Sequence, residues 1–290
     1  MASVITSKKD KKIKEKMKPK DWVKFAALCV LTVVFLFPIG AIVMNSFKGR
    51  LFISDQPFSF PTAETFSGIS NYLSGIEKTG FFKAFGFSLF ITVFSVAVIV
   101  LCTSMCAWFI VRVKAWYTRL LYLLCAFSMI VPFQMVMFTM TQVANRLKLD
   151  NPVGIILIYL GFGAGLSVFM FTGFIKGVPL EIEEAAMIDG CTTMRTYFSI
   201  VLPIIKPTAI TVAILNAMWI WNDYLLPKLL LESKYYTIPI VLQNLVGSRG
   251  MVDMGAMMAT IILAIIPIIV FYLACQKHII KGVVAGAVKG

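Results

Sequence analysis

The chain has 290 residues, 59% of them hydrophobic and only 14% charged, and its mean hydropathy is +0.86. That apolar share is too high for a soluble domain and marks an integral membrane protein. The net charge of +13 has no basic groove interleaved with aromatics beside it, so it reflects membrane topology and not nucleic-acid binding.

Residues 1–22 form a basic tail, and nine lysines fall within the first 24 residues. The tail reads as a solvated arm. The apolar run behind it is too long for a cleavable leader and has no small-residue cleavage site. A membrane span needs about 20 apolar residues. Six runs qualify, at about 23–46, 84–111, 120–142, 153–175, 208–227 and 257–276. Together they predict an all-α domain over 23–277, followed by a tail at 278–290.

Lysine and arginine are unequal between alternate loops. The side holding both termini, the 112–119 loop and the 176–206 loop has 18 of the 27. By the positive-inside rule both termini and the 176–206 loop are expected in the cytoplasm. Across the membrane, the 47–83 segment is broken by Pro57 and Pro61. Residues 69–73 have the pattern of a short surface helix, and 228–256 reads as a re-entrant or interfacial loop. Five of the six cysteines sit in apolar runs as small hydrophobes. Cys102 and Cys106 share a helix face without a His, Asp or Glu, which leaves no metal site.

The most informative loop is 176–206. Pro179 suits the start of a helix, and Glu181, Glu183 and Glu184 crowd its positive end. Gly190 suits a left-handed stop. Thr192 or Thr193 can cap a second helix running to about Leu202, with Pro203 and Pro207 allowing a break before the fifth span. The expected form is two short helices with a tight bend, lying on the membrane surface. Ala185 and Ala186 permit close approach of another protein, and Glu184 and Asp189 offer charge there.

The string Glu184-Ala185-Ala186-Met187-Ile188-Asp189-Gly190, closed by Ile200-Val201-Leu202-Pro203, resembles the EAA loop of ABC importer permeases. Trp221-Asn222-Asp223-Tyr224-Leu225-Leu226-Pro227, Val131-Pro132-Phe133-Gln134 and the tail from Lys281 to Gly290 are similar to the sugar-importing branch, specifically the smaller permease of maltose and multiple-sugar systems. The resemblance implies six transmembrane helices of the type I importer kind in a bacterial-type cytoplasmic membrane. It also implies a second related permease, an ATPase dimer docked on the 184–203 motif, an extracytoplasmic sugar-binding protein and a sugar substrate. ATP and Mg would then belong to the ATPase. No Gly-x-x-x-x-Gly-Lys-Ser/Thr string occurs in this chain, and its single histidine, His278, follows the last span and reads as interfacial, so no cofactor and no catalysis are expected of it.

A substrate path calls for polar groups on a span's inner face. Asn216, Trp219 and Asp223 are spaced three and four apart and share one helical face. An aromatic beside an amide and a carboxylate can hold a sugar. Asn222 and Tyr224 adjoin them, and Gln134 is a further candidate in the third span. Two other readings stay open: Trp219 and Trp221 as interfacial anchors, or Asp223 closing an outer gate with Lys228 or the second permease. Gly161-x-Gly163-x-Gly165 reads as close helix packing, not as a nucleotide fingerprint. A permease of the same family for phosphate, peptide or amino acids stays open, since only the resemblance of the tail and the Trp221–Pro227 segment speaks for sugar. A secondary transporter would need intramembrane ionisable groups and repeated halves, and the sequence offers neither beyond Asp223.

Overall fold

The computed structural model describes residues 19–245 and 253–287, and these are helical without a β-strand. The first apolar run is α1 (Pro19–Ser46). The 47–80 segment carries α2 (Arg50–Asp55) and α3 (Ser70–Thr79), so the predicted short helix is present and longer. Residues 57–61 take turns, as their prolines require. The segment closes on Lys48, which is fully buried. Its ammonium donates to Gln56 O at 2.7 Å and to Ser59 Oγ at 3.3 Å, and burial pushes its pKa down.

The 32-residue α4 (Phe81–Arg112) begins at Gly80, whose φ of 58° turns the chain sharply out of α3. At about 1.5 Å per residue it is about 48 Å long, enough to cross a bilayer and project on both sides. The third run departs from the expected single span. It is split into α5 (Trp116–Ser128) and α6 (Phe133–Arg146), which meet at 109°. Pro132 is the cause: its ring drives Val131 out of the α region, and Pro132 itself is extended at ψ 140°. α7 (Gly154–Ile175) is the most enclosed of the long helices.

Beyond α7 come α8 (Glu181–Ile188) and α9 (Thr193–Thr196). The expected break at Pro203 is absent. A π-helical turn over Tyr197–Val201 runs straight into α10 (Leu202–Asn222), giving one 30-residue span, Thr193–Asn222. Pro203 has no N–H for the carbonyl one α-turn earlier. The π turn shifts the ladder, so that Leu202 N–H donates to Tyr197 O instead. The fifth span also ends earlier than expected. Asp223 is extended at ψ 121°, and α11 (Leu225–Leu230) starts a new direction. α12 (Ile238–Leu245) and α13 (Met254–Ala287) complete the chain, and the backbone of α13 stays helical well into the predicted tail.

Among the described residues, five helices are therefore long and apolar enough to span a membrane, and the bent pair makes a sixth crossing if counted as one. α4 and α7 form the central pair, α10 packs on both, and α13 ties α10 to α1 and α3. Gly163 and Gly165 supply the close approach. A Cβ on Gly163 would lie 2.8 Å from Ile99 Cδ1 and from Asn216 Oδ1, and one on Gly165 would lie 2.7 Å from Cys125 O. Gly161, the first member of the pattern, has nothing within 4 Å.

Candidate functional site: the α8–α9 loop and the α10 terminus

α8 has two faces. Glu183 and Ala186 are buried at 1% and 8% exposure, three residues apart and therefore on one side. Glu184, Ala185, Met187, Asp189 and Gly190 are exposed, and Ile188 is 86% exposed at the tip. Asp189 ends the helix and Gly190 follows at φ 84°, the left-handed stop expected of it. Thr192 Oγ1 then accepts the Arg195 N–H at 3.4 Å and starts α9. Leu202 packs half-buried beneath the loop, while Pro203 is exposed.

The inner face is held by residues that the sequence reading did not single out. Arg112, on the last turn of α4, donates from Nε at 3.0 Å and from Nη2 at 2.6 Å to Glu183 Oε1, and Nη2 also reaches Val178 O at 3.0 Å. Trp108 Nε1 donates to Glu183 Oε2 at 2.8 Å. One turn earlier on α4, Ser104 Oγ meets Tyr197 Oη at 2.6 Å, and the Tyr197 ring lies 5.5 Å from that of Trp108. The available signal was the four-residue spacing of Trp108 and Arg112 at the basic end of a span, facing a loop rich in glutamate.

At the far end of α10, Tyr159 Oη donates to Asp223 Oδ2 at 3.0 Å. Asp223 Oδ1 accepts the Leu225 N–H at 3.0 Å and the Leu226 N–H at 3.4 Å, capping α11. Trp219 stands edge-on to Tyr159 at 5.5 Å and is 41% exposed. Asn216 is buried and donates to Ser167 Oγ at 3.2 Å and Val212 O at 2.9 Å. The shared face of Asn216, Trp219 and Asp223 is thus turned toward α7 of the same chain. Asn222 is exposed with its amide on Met218 O, Tyr224 is half-buried at the start of α11, and Lys228 lies over the Tyr236 ring, 5.8 Å from its centroid. Gln134 is exposed on the first turn of α6, which packs on α11.

Residues 99–284 match the family model described as binding-protein-dependent transport system inner membrane component. The chain belongs to this family. The matched stretch includes the C-terminal half of α4, the α8–α9 loop and the whole of α10 and α11, so both constellations lie in the part that matches the family. Among similar permeases is the "probable starch degradation products transport system permease protein AmyC" of Thermoanaerobacterium thermosulfurigenes, 36% identical over 90% of this chain and 94% of that one. The "multiple sugar-binding transport system permease protein MsmG" of Streptococcus mutans is also 36% identical, over 92% and 96%. A crystal structure of a bacterial ABC transporter that imports the acidic polysaccharide alginate includes a chain of the same fold. It aligns with a TM-score of 0.77 at 22% identity, over 90% of this chain and 98% of that one.

Proposed function

We propose that this permease forms half of a sugar- or oligosaccharide-conducting channel, paired with a second related permease. An ATPase dimer drives it from the cytoplasm, and an extracytoplasmic binding protein delivers the sugar. Both termini and the α8–α9 loop lie on the cytoplasmic side in this arrangement, which the distribution of basic residues supports. The sugar-transport names of the similar permeases support the substrate class.

The observation that carries the docking reading is the two-faced α8. Its inner side is pinned to α4, while Glu184, Ala185 and Ile188 stand free on the outer side. A large aliphatic side chain at 86% exposure on a short charged helix is a knob for a pocket in another protein. Closing of the ATPase dimer on ATP would move that knob and shift the permease pair between inward- and outward-facing states.

Within the membrane, Trp219, Asn222, Tyr224 and Gln134 are the groups left at least partly exposed near the end of α10, and we assign them to the sugar path. Asn216 and Asp223 hold the walls of that region through α7 and α11. The test is co-purification of the ATPase with the Ile188→Asp variant in otherwise complete transporter. Loss of the ATPase with a normal permease level supports docking on this loop, and full retention refutes it.

A further inference from the structure

Three residues of α4, spaced four apart, grip the loop at three separate points. Ser104 holds Tyr197 after α9, Trp108 holds Glu183 in α8, and Arg112 holds both Glu183 and the Val178 carbonyl ahead of α8. Positions i, i+4 and i+8 form one stripe of a helix, so the cytoplasmic end of α4 and both halves of the loop are fastened along a single seam. Glu183 is 1% exposed and its side chain accepts three donors, two on one oxygen and one on the other.

The opposite end of α4 is fastened as well. Ser88 Oγ accepts the Ile238 N–H at 2.8 Å, which ties α4 to the start of α12. Phe81 and Ala84 pack with Ile238, Val241 and Ala264 in one buried cluster, and Phe85 meets Trp221 edge-on at 5.7 Å. A single unbroken helix, with no proline inside it, thus joins the loop to the opposite surface. α10 also runs on from the loop without a break, but its path carries Pro207 and the π turn. α7 is continuous too and leads directly into the loop, but the side chains that hold Glu183 stand on α4.

We propose that Glu183 is a positioning residue that locks α8 to α4 through Arg112 and Trp108, so that displacement of the loop travels along α4 to the α12 segment on the other side. The proposal rests on the reading that an ATPase docks on the loop. It assigns the transmission to one seam, where the exposed motif residues assign only the contact.

The experiment uses the complete transporter in proteoliposomes and reads three quantities separately: ATPase co-purified with the permease, ATP hydrolysed, and sugar taken up. Glu183→Gln keeps the shape and two hydrogen-bonding atoms but replaces one acceptor oxygen with a donor facing Arg112 or Trp108. The expected result is normal ATPase association and ATP hydrolysis, with sugar carried per ATP lower by about fivefold or more, the lower bound for a typical coupling free energy. Arg112→Lys keeps the charge but cannot hold Glu183 and Val178 together in one fork, and it should lower the same ratio by a smaller factor. A ratio unchanged from the parent in both variants overturns the proposal. Should Glu183→Gln fail to reach the membrane, Arg112→Lys alone decides by the same ratio. Loss of association in Ile188→Asp, together with an unchanged ratio in the seam variants, would leave docking on the loop intact and refute only transmission through α4. Retained association in Ile188→Asp would refute the docking reading itself.

Discussion

Gly161, Gly163 and Gly165 occupy one helix within five residues, yet the same substitution should act on each with a different sign or size. Replacing any of them with alanine recovers helix propensity, about 1 kcal/mol in a helix interior. At Gly161 nothing lies within 4 Å of the new methyl, so that gain stands alone. At Gly163 the methyl would meet Ile99 Cδ1 and Asn216 Oδ1, both at 2.8 Å. Ile99 is fully buried, and Asn216 is tied by its amide to Ser167 and Val212, so neither can yield freely. Overpacking of this kind costs about 1–3 kcal/mol, which cancels or exceeds the propensity gain. At Gly165 one obstacle at 2.7 Å is the Cys125 carbonyl, a backbone atom that moves only if α5 moves. The expected order of stability is therefore Gly161→Ala above the parent, Gly163→Ala at or below it, and Gly165→Ala lowest. Thermal unfolding of the purified permease in one detergent, followed by tryptophan fluorescence, measures the order. If Gly161→Ala and Gly165→Ala shift the midpoint in the same direction by similar amounts, the packing of α7 against α5 is wrong.

Arg112→Ala should destabilise the permease by about 3–5 kcal/mol, because it strands a buried carboxylate. Adding Glu183→Ala should recover part of that loss in the same unfolding assay. Gly190→Val should weaken transport through backbone strain alone, at a cost of about 1–2 kcal/mol, since no atom lies within 4 Å of its Cβ position. Gly190→Asn should be tolerated, and equal transport in the two variants would argue against a left-handed requirement. Asp253 caps the first turn of α13 and pairs with Lys78 of α3. Burial pushes its carboxyl up, but the Lys78 ammonium and the Ala256 N–H outweigh this and hold it below the usual carboxylate range. A depressed folded-state pKa contributes stability above the unfolded value, about 3.9, that is lost as pH falls through the folded value. Hydrogen-exchange protection in α3 should therefore decline only below about pH 4, and Asp253→Asn should remove that dependence.

The membrane class and the spans at α1, α4, α7 and α13 were legible because apolar run length is a direct consequence of bilayer thickness. The split at Pro132 was written in the sequence as well, but a proline in an apolar run can kink a helix or break it, and only packing decides which. At Pro203 the opposite outcome holds, with the π turn absorbing the missing donor. The outward residues of the loop were legible because Glu184 to Gly190 carry their pattern locally in sequence. The burial of Glu183 was not, because its partners lie 71 and 75 residues away and the spacing of Trp108 and Arg112 does not say which of three glutamates they meet. The face of Asn216, Trp219 and Asp223 was found from its spacing, whereas Tyr159, which receives it, was hidden in an apolar run.

An eight-residue helix such as α8 has little stability of its own. Isolated helices below about 12–15 residues are marginal in water, and Leu180 at its N-cap offers no side-chain oxygen to the free N–H groups. The two exposed glutamates near its start, Glu181 and Glu184, favour the helix dipole by only a few tenths of a kcal/mol each. Its conformation must therefore come from attachment. Apolar packing alone could supply that attachment, as Ala186 does in part, but apolar contacts allow sliding along the axis. A carboxylate that accepts two donors from a planar guanidinium and one from an indole is held in both distance and direction. That restricts α8 to one position relative to α4 at the cost of burying a charged pair, which by itself adds little net stability. A device that costs desolvation and returns fixed geometry is what the proposed role of α8, passing on a push without yielding to it, would call for.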